Sequence, residues 1–238
     1  MKTLTREEAK RRIVALTISG GLDPDTPLSE RSLSELTGIG RTPVREALHD
    51  LARDGIVSIE PKRGTFVRRL GLDDVREIFE VRFALEALAA SLAALRGPTQ
   101  RLREIDGALS QLDGRTLGSD EAAQSKALGH ELHLEIVRSS RNRLLQRQYS
   151  QVRLMIEVLL SMTERDETSR IAASIGEHLT ISAAIIERDP VRAQSMMQRH
   201  LRAGHEIRMA ILNDFPALTL AIEDAPRAVD ATANLQET

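Results

Sequence analysis

The sequence predicts a mainly α-helical chain: an N-terminal helix, two short helices and a β-hairpin, then an antiparallel bundle of six longer helices. Three observations predict it. Leu28-Ser-Glu-Arg-Ser-Leu-Ser-Glu-Leu36 and Arg41-Thr-Pro-Val-Arg-Glu-Ala-Leu48 flank the tight turn Gly38-Ile-Gly40. Asp54-Gly55-Ile56 and Lys62-Arg63-Gly64-Thr65 follow as a helix stop and a basic hairpin tip. Beyond residue 70 no strand pattern recurs, and apolar residues repeat at helical spacing. Helix, glycine turn, helix and basic hairpin in that order describe a winged helix-turn-helix, with its second helix as the major-groove reader.

Residues 6–19 read as the first helix, with Ile13, Leu16 and Thr17 at helical spacing and Gly20-Gly21 as its stop. Ser32-x-x-Glu35 reads as a capping box for the second. Pro43 suits the first turn of the third helix, capped by Thr42 and closed by Gly55. Residues 56–60 and 65–69 alternate as strands around Pro61-Lys62-Arg63-Gly64. Six helices are expected over 73–96, 99–112, 119–140, 142–163, 167–188 and 190–213, because Gly97-Pro98, Asp113-Gly114, Ser139 to Asn142 and Asp189-Pro190 punctuate the pattern. Short links between long amphipathic helices make neighbours antiparallel. The expected division is a DNA-binding unit over 1–69, a helical effector-binding and dimerisation unit over 70–213, and a tail over 214–238 with a short helix near 217–223.

Composition excludes several classes. There is no cysteine, so neither a disulfide nor a thiolate zinc site is available. No apolar run is long enough to cross a membrane and the N-terminus lacks a signal peptide's apolar core, so a cytoplasmic protein with no membrane partner is expected. With no tryptophan and one tyrosine, stacking platforms for single-stranded nucleic acid are not expected. The net charge of −2 divides unevenly. Residues 1–69 carry 13 Lys/Arg against 10 Asp/Glu, and the remainder 20 against 25, a mildly basic head on an acidic body.

Arg41, Thr42 and Arg45 occupy the N-terminal end of the third helix, where a groove-reading helix meets base edges. Arg41 and Arg45 share a face, while Val44, Leu48 and Leu51 are free to pack inward. Lys62 and Arg63 at the hairpin tip suit phosphate or minor-groove contact. In the body, His133, His178 and His200 each lie on the apolar stripe of a different helix, so three imidazoles can converge. Imidazole is the commonest neutral metal ligand, and three of them leave positions open for water or a ligand. Arg82 and Glu86 sit one turn apart, which allows either an ion pair or a cavity arginine that clamps an anion.

Residues 13–67 resemble the DNA-binding domain of the GntR family of bacterial regulators, through Leu28-Ser-Glu-Arg31, Arg41-Thr-Pro-Val-Arg-Glu-Ala-Leu48, Leu51-x-x-Asp-Gly55 and Arg63-Gly64-Thr-Phe-Val67. The resemblance implies DNA contacts by Arg31, Arg41 and Arg45 and a minor-groove approach at Gly64. Gly40 stands where the family usually has serine or threonine. Residues 75–205 resemble the FCD ligand-binding domain of the FadR branch. The first body helix carries Glu80-x-Arg82-x-x-Leu85-Glu86, and the third carries His133 with Asn142 and Leu145 downstream. Glu177-His178-x-x-Ile181 and Met197-x-x-His200-Leu201 complete the set. Six body helices are similar to the VanR-like subgroup.

That resemblance implies a divalent metal, zinc or nickel by its nitrogen-rich ligands, held by His133, His178 and His200. The family's aspartate ligand is replaced by Gly129. His130, one turn from His133, is placed to turn toward the same site, and Glu131 points away. A site of histidines alone, a site with His130 and an empty site all remain open. The expected function is a DNA-binding transcriptional regulator, a repressor by the family's habit. A small carboxylate-type effector would bind at Arg82, His133, His178 and His200, and a homodimer would sit on a palindromic double-stranded operator. Two other classes compete: a metal-dependent enzyme with a DNA-binding appendage, and an architectural DNA protein whose body only dimerises. No HExxH motif or Ser/His/Asp triad favours the enzyme.

Overall fold

Near the N-terminus, α1 (Arg6–Ile18) begins after Thr5, whose hydroxyl accepts the Glu8 N–H, and buries Ala9, Ile13 and Val14. The second helix, α2 (Glu30–Thr37), meets α3 (Arg41–Arg53) through a turn whose Ile39 is buried. Leu33, Val44, Ala47 and Leu51 close a small core over α1. The computed structural model describes residues 5–162 and 168–214. The short helix expected near 217–223 and all but the first residue of the expected tail lie outside them.

Two starts differ from the sequence reading. The cap of α2 is Ser29, whose hydroxyl accepts the Ser32 N–H at 3.0 Å; Ser32 itself lies inside the helix. The Leu28 N–H bonds the Thr65 carbonyl at 2.6 Å, which holds the chain extended up to Ser29 and sets the helix start there. Thr42 is not a cap either. α3 starts at Arg41 with Gly40 at the cap position and no side-chain cap bond.

The hairpin is β1 (Val57–Glu60) and β2 (Gly64–Val67), antiparallel with Val57 opposite Val67 and Glu60 opposite Gly64. Gly64 thus opens the second strand instead of closing the turn. Its φ of +125° disfavours any side chain, and a Cβ there would lie 3.3 Å from Pro27 Cβ.

The remaining described helices are α4 (Leu72–Arg96), α5 (Gln100–Ser110), α6 (Ser119–Ser139), α7 (Arg143–Met162), α8 (Thr168–Ile186) and α9 (Pro190–Asp214). All six expected helices appear within about two residues of their expected ends, the scatter typical of helix boundaries. α4 is central and packs on α6, α7, α8 and α9. Its Ala87, Ala89, Ala90, Ala93 and Ala94 are buried, and such small side chains let neighbouring helices approach closely.

The N-terminal elements rest on this bundle. α1 packs against α7. A Cβ at Gly55 would lie 3.4 Å from Met155 Sδ of α7, so the end of the recognition-helix turn touches the same helix. Arg68, just after the wing, pairs with Asp74 in the first turn of α4, and Asp74 also accepts the Gly71 N–H at 2.9 Å. No described helix is long and apolar enough to cross a membrane.

Candidate functional site

His133 on α6, His178 on α8 and His200 on α9 converge in the interior of the bundle, all three buried. His133 Nε2 lies 3.1 Å from His200 Nε2 and 3.3 Å from His178 Nε2. Two carboxylates aim the rings from behind. Glu86 accepts from His133 Nδ1 and also from Arg82 Nε at 2.7 Å. Glu177 accepts from His200 Nδ1 at 2.7 Å and pairs through both oxygens with Arg170 at 2.7 and 3.0 Å. Two Arg–Glu–His chains thus make Nδ1 of His133 and His200 the donor to a carboxylate and turn their Nε2 atoms toward one another. Carboxylate-backed histidines are the usual outer support of a metal site.

The charges of these groups follow from their surroundings. Burial alone would raise the Glu86 carboxyl, but the Arg82 guanidinium and the His133 ring overcome it and hold the carboxyl well below the usual range. Glu177 is held at about 2 by His200 and Arg170 against the same burial. Burial pushes the His178 ring well below its usual range. Burial brings His200 down to about 4 although Glu177 opposes the shift. Neutral His178 and His200 rings at physiological pH suit metal ligation.

The donor set fits a divalent cation. Two tetrahedral metal–imidazole bonds of about 2.0–2.1 Å place their nitrogens about 3.3 Å apart, close to the 3.1 and 3.3 Å separations of the Nε2 atoms. Unprotonated lone pairs that face one another at this distance repel unless a cation or a proton lies between them.

No carboxylate joins the three. At Gly129, a Cβ would lie 2.6 Å from His178 Cε1, so the His178 ring occupies the space a side chain at 129 would need. His130 does not belong to the cluster among the described residues; it is exposed and lines the adjoining cavity. The i, i+3 spacing puts it near the face of His133 but too far round to converge. Glu131 turns outward to Arg101, at 2.7 and 2.8 Å.

The histidines form one wall of a cavity of about 590 Å³ that Arg82, Tyr149, Arg153 and Arg170 also line. The ion pair with Glu86 and the cavity position of Arg82 are both observed. The pair uses Nε, and the guanidinium stacks 4.9 Å from the Phe79 ring centroid. Sequence reasoning assigned no role to Glu177, Arg170 or Tyr149. Glu177 beside His178 was the available signal, but its partner His200 lies on another helix. Tyr149 is buried at the cavity, where burial and the nearby Glu86 push its hydroxyl up.

In the N-terminal unit Arg31, Arg41, Thr42, Arg45, Lys62, Arg63 and Gly64 are all exposed. Several are already engaged. Arg45 pairs through Nε and Nη2 with Glu30 at 2.6 and 2.9 Å, Arg31 with Glu35 at 3.0 Å, and Arg63 with Glu60 while lying over the Phe66 ring. Lys62 at the hairpin tip has φ +65°.

A winged helix-turn-helix carried on a helical bundle with an internal ligand cavity defines a ligand-responsive DNA-binding regulator. The chain belongs to the GntR family of bacterial regulatory proteins, matched over residues 5–67, in its FCD-domain branch, matched over 77–203. FCD domains often bind a metal, consistent with the histidine cluster here. A "Probable D-xylose utilization operon transcriptional repressor" of Paenarthrobacter nicotinovorans is 28% identical over 202 residues, which cover 85% of this chain and 88% of the relative. The transcriptional repressor GlaR of Escherichia coli K12 is 26% identical over 212 residues, 84% and 93% of the two chains. Among solved structures, E. coli McbR/YncC superposes with a TM-score of 0.72 at 23% identity, covering 88% of this chain and 99% of that one. Domains and relatives are those of regulators, and the enzyme alternative finds no support in them.

Proposed function

We propose that the chain is a homodimeric repressor in which residues 1–69 read DNA and residues 70–213 bind an organic-acid effector at a divalent metal. The observation that carries this reading is the convergence of three buried Nε2 atoms on the wall of a cavity lined by arginines. His133, His178 and His200 would hold the metal, zinc or nickel by ligand type. When bound, the metal supplies a Lewis-acidic positive centre with positions open to carboxylate oxygens. Because Gly129 brings no anionic ligand, the effector's own carboxylate would supply an oxygen ligand and offset the charge. Arg82 gives only Nε to Glu86, which leaves its terminal amino groups for the same carboxylate.

In the DNA-reading unit, Arg41 and Arg45 would contact base edges. Thr42 with the uncapped first turn of α3, Arg31, Lys62 and Arg63 would meet phosphates, and Gly64 would let the wing approach the minor groove. Three exposed apolar residues on α4, Val81, Leu88 and Leu95, repeat every seventh position and lie on one face. Such a seam suits pairing with a second copy about a two-fold axis, and a two-fold dimer requires a palindromic operator. Repression follows the named relatives.

Operator binding measured by fluorescence anisotropy, with metal-loaded protein and a panel of carboxylic acids, tests the reading. At least one acid is expected to weaken binding tenfold or more, and His178→Ala to abolish that response while leaving operator affinity without acid unchanged. Operator affinity indifferent to every acid would support the architectural alternative instead.

A further inference from the structure

The cavity is longer than a small acid needs. Along α9 its lining starts at His200 and continues to Asp214, and along α7 it runs from Tyr149 to Ser161. At 1.5 Å per residue these are runs of about 21 and about 18 Å. Both start at the histidine end of the cavity. Tyr149 is close enough to Glu86 and Arg82 to feel both charges, and His200 belongs to the triad. The distal stretch of lining carries an apolar series among its polar residues: Ile156 and Leu160 of α7, Ile171 of α8, Ile207 and Ile211 of α9, and Ile18 at the C-terminal end of α1, with Glu157, Ser161, Arg208 and Asp214 between and beyond them. Three arginines of the lining are engaged within the protein. Arg153 pairs with Glu157 at 3.0 Å, Arg170 with Glu177, and Arg208 bonds the Gly204 carbonyl at 3.1 Å. A volume of about 590 Å³ is in the range that takes a ligand of drug size, of which a two- to four-carbon acid fills a fraction.

We infer that the effector is an elongated amphipathic acid. Its carboxylate lies at the histidines and Arg82, and its apolar body extends along α7 and α9 to Ile18, so that its far end touches the DNA-reading unit itself. The carboxylate end rests on the reading above; the length and the contact with α1 do not follow from it. The geometry also supplies the means of control. A ligand that fills the distal stretch meets α1 through Ile18 and α7 through Ile156 and Leu160, and α7 in turn carries Met155 against Gly55 at the end of the recognition helix. Only ligands that reach this far have a differential contact with the position of the DNA-reading unit, which any shift in its equilibrium requires.

The test is calorimetric titration of full-length, metal-loaded protein with acetate, butyrate, octanoate and dodecanoate, with dodecanol as a control for non-specific apolar binding. Affinity is expected to rise about fourfold per added methylene beyond butyrate, the ratio that about 0.8 kcal/mol per buried methylene gives, and dodecanol to bind more weakly than dodecanoate. Ile18→Asp, at a partly exposed position, is expected to weaken dodecanoate tenfold or more and leave acetate unchanged; Ile18→Gln should do the same to a smaller degree. Affinity that does not grow with chain length overturns the inference, as does dodecanoate binding unaffected by either Ile18 variant. If acetate and butyrate bind and their binding is lost in His178→Ala, the carboxylate site stands and only the elongated ligand fails. If no acid binds at all, the effector reading fails with it.

Discussion

Glu86→Ala is expected to destabilise the protein by about 3–5 kcal/mol, the range for removing one partner of a buried ion pair. Glu86 is fully buried and accepts from both Arg82 and His133. Its loss leaves the Arg82 cation in the interior without a counter-charge and frees the His133 ring to turn. For a chain of this size the cost corresponds to a fall in Tm of roughly 10 °C. Urea or thermal unfolding measures it, with Arg82→Met/Glu86→Ala as the informative companion. Once the cation is removed as well, most of the lost stability is expected to return, because an apolar replacement of a buried pair is often neutral or better. A loss below about 1 kcal/mol in Glu86→Ala would mean that water reaches Arg82, as for an exposed pair. The double variant should still bind metal less tightly than wild type, since His133 lacks its carboxylate in both.

The second large effect is on DNA. Arg41→Ala is expected to reduce specific operator affinity by about 2–6 kcal/mol in the dimer, since a bidentate arginine–guanine contact is worth about 1–3 kcal/mol per half-site. Arg45→Ala should behave alike, although Arg45 is paired with Glu30 in the free protein. That pair is exposed and weakened by solvent screening, so a guanine edge is expected to outcompete Glu30 for the guanidinium. Lys62→Ala at the wing tip gives the contrast. It should weaken binding to all sequences about equally and reduce the salt dependence by about one unit per site. Footprinting beside a size measurement separates a lost contact from a lost dimer. Footprints like the wild type from both Arg41→Ala and Arg45→Ala would contradict the placement of α3 in the major groove.

Most of the fold is legible in the sequence because its punctuation is strong. Glycine or proline marks most of the links, and apolar residues recur at helical spacing between them. The starts of α2 and α3 are less legible. Three serines and a threonine near them are all competent caps, and a contact distant in sequence, between Leu28 and Thr65, decides for Ser29. The convergence of His133, His178 and His200 can be read from their stripes, since each stripe must face the bundle axis. Their support cannot. The reach of Glu177 to His200 depends on how α8 and α9 cross, and the fate of Gly129 depends on a ring from another helix filling the vacant space. For the same reason His130 looks like a candidate ligand by spacing alone. Spacing also offers Arg82 a choice between ion pair and cavity that the structure does not force, because one guanidinium has donors enough for both. The approach of Ile18 to the cavity has no local signal at all; it arises from the seat of α1 on α7.

The central claim is that three histidines without a carboxylate hold the metal on which the effector site is built. Elemental analysis of tag-free protein purified without chelator, beside His178→Ala, tests it most directly. The expected result is about one divalent metal per chain in the wild type and none in His178→Ala, with both proteins folded by circular dichroism. A wild type that carries no metal and takes up neither added zinc nor added nickel would contradict the claim. It would leave the three imidazoles and Arg82 to bind an acid by hydrogen bonds alone.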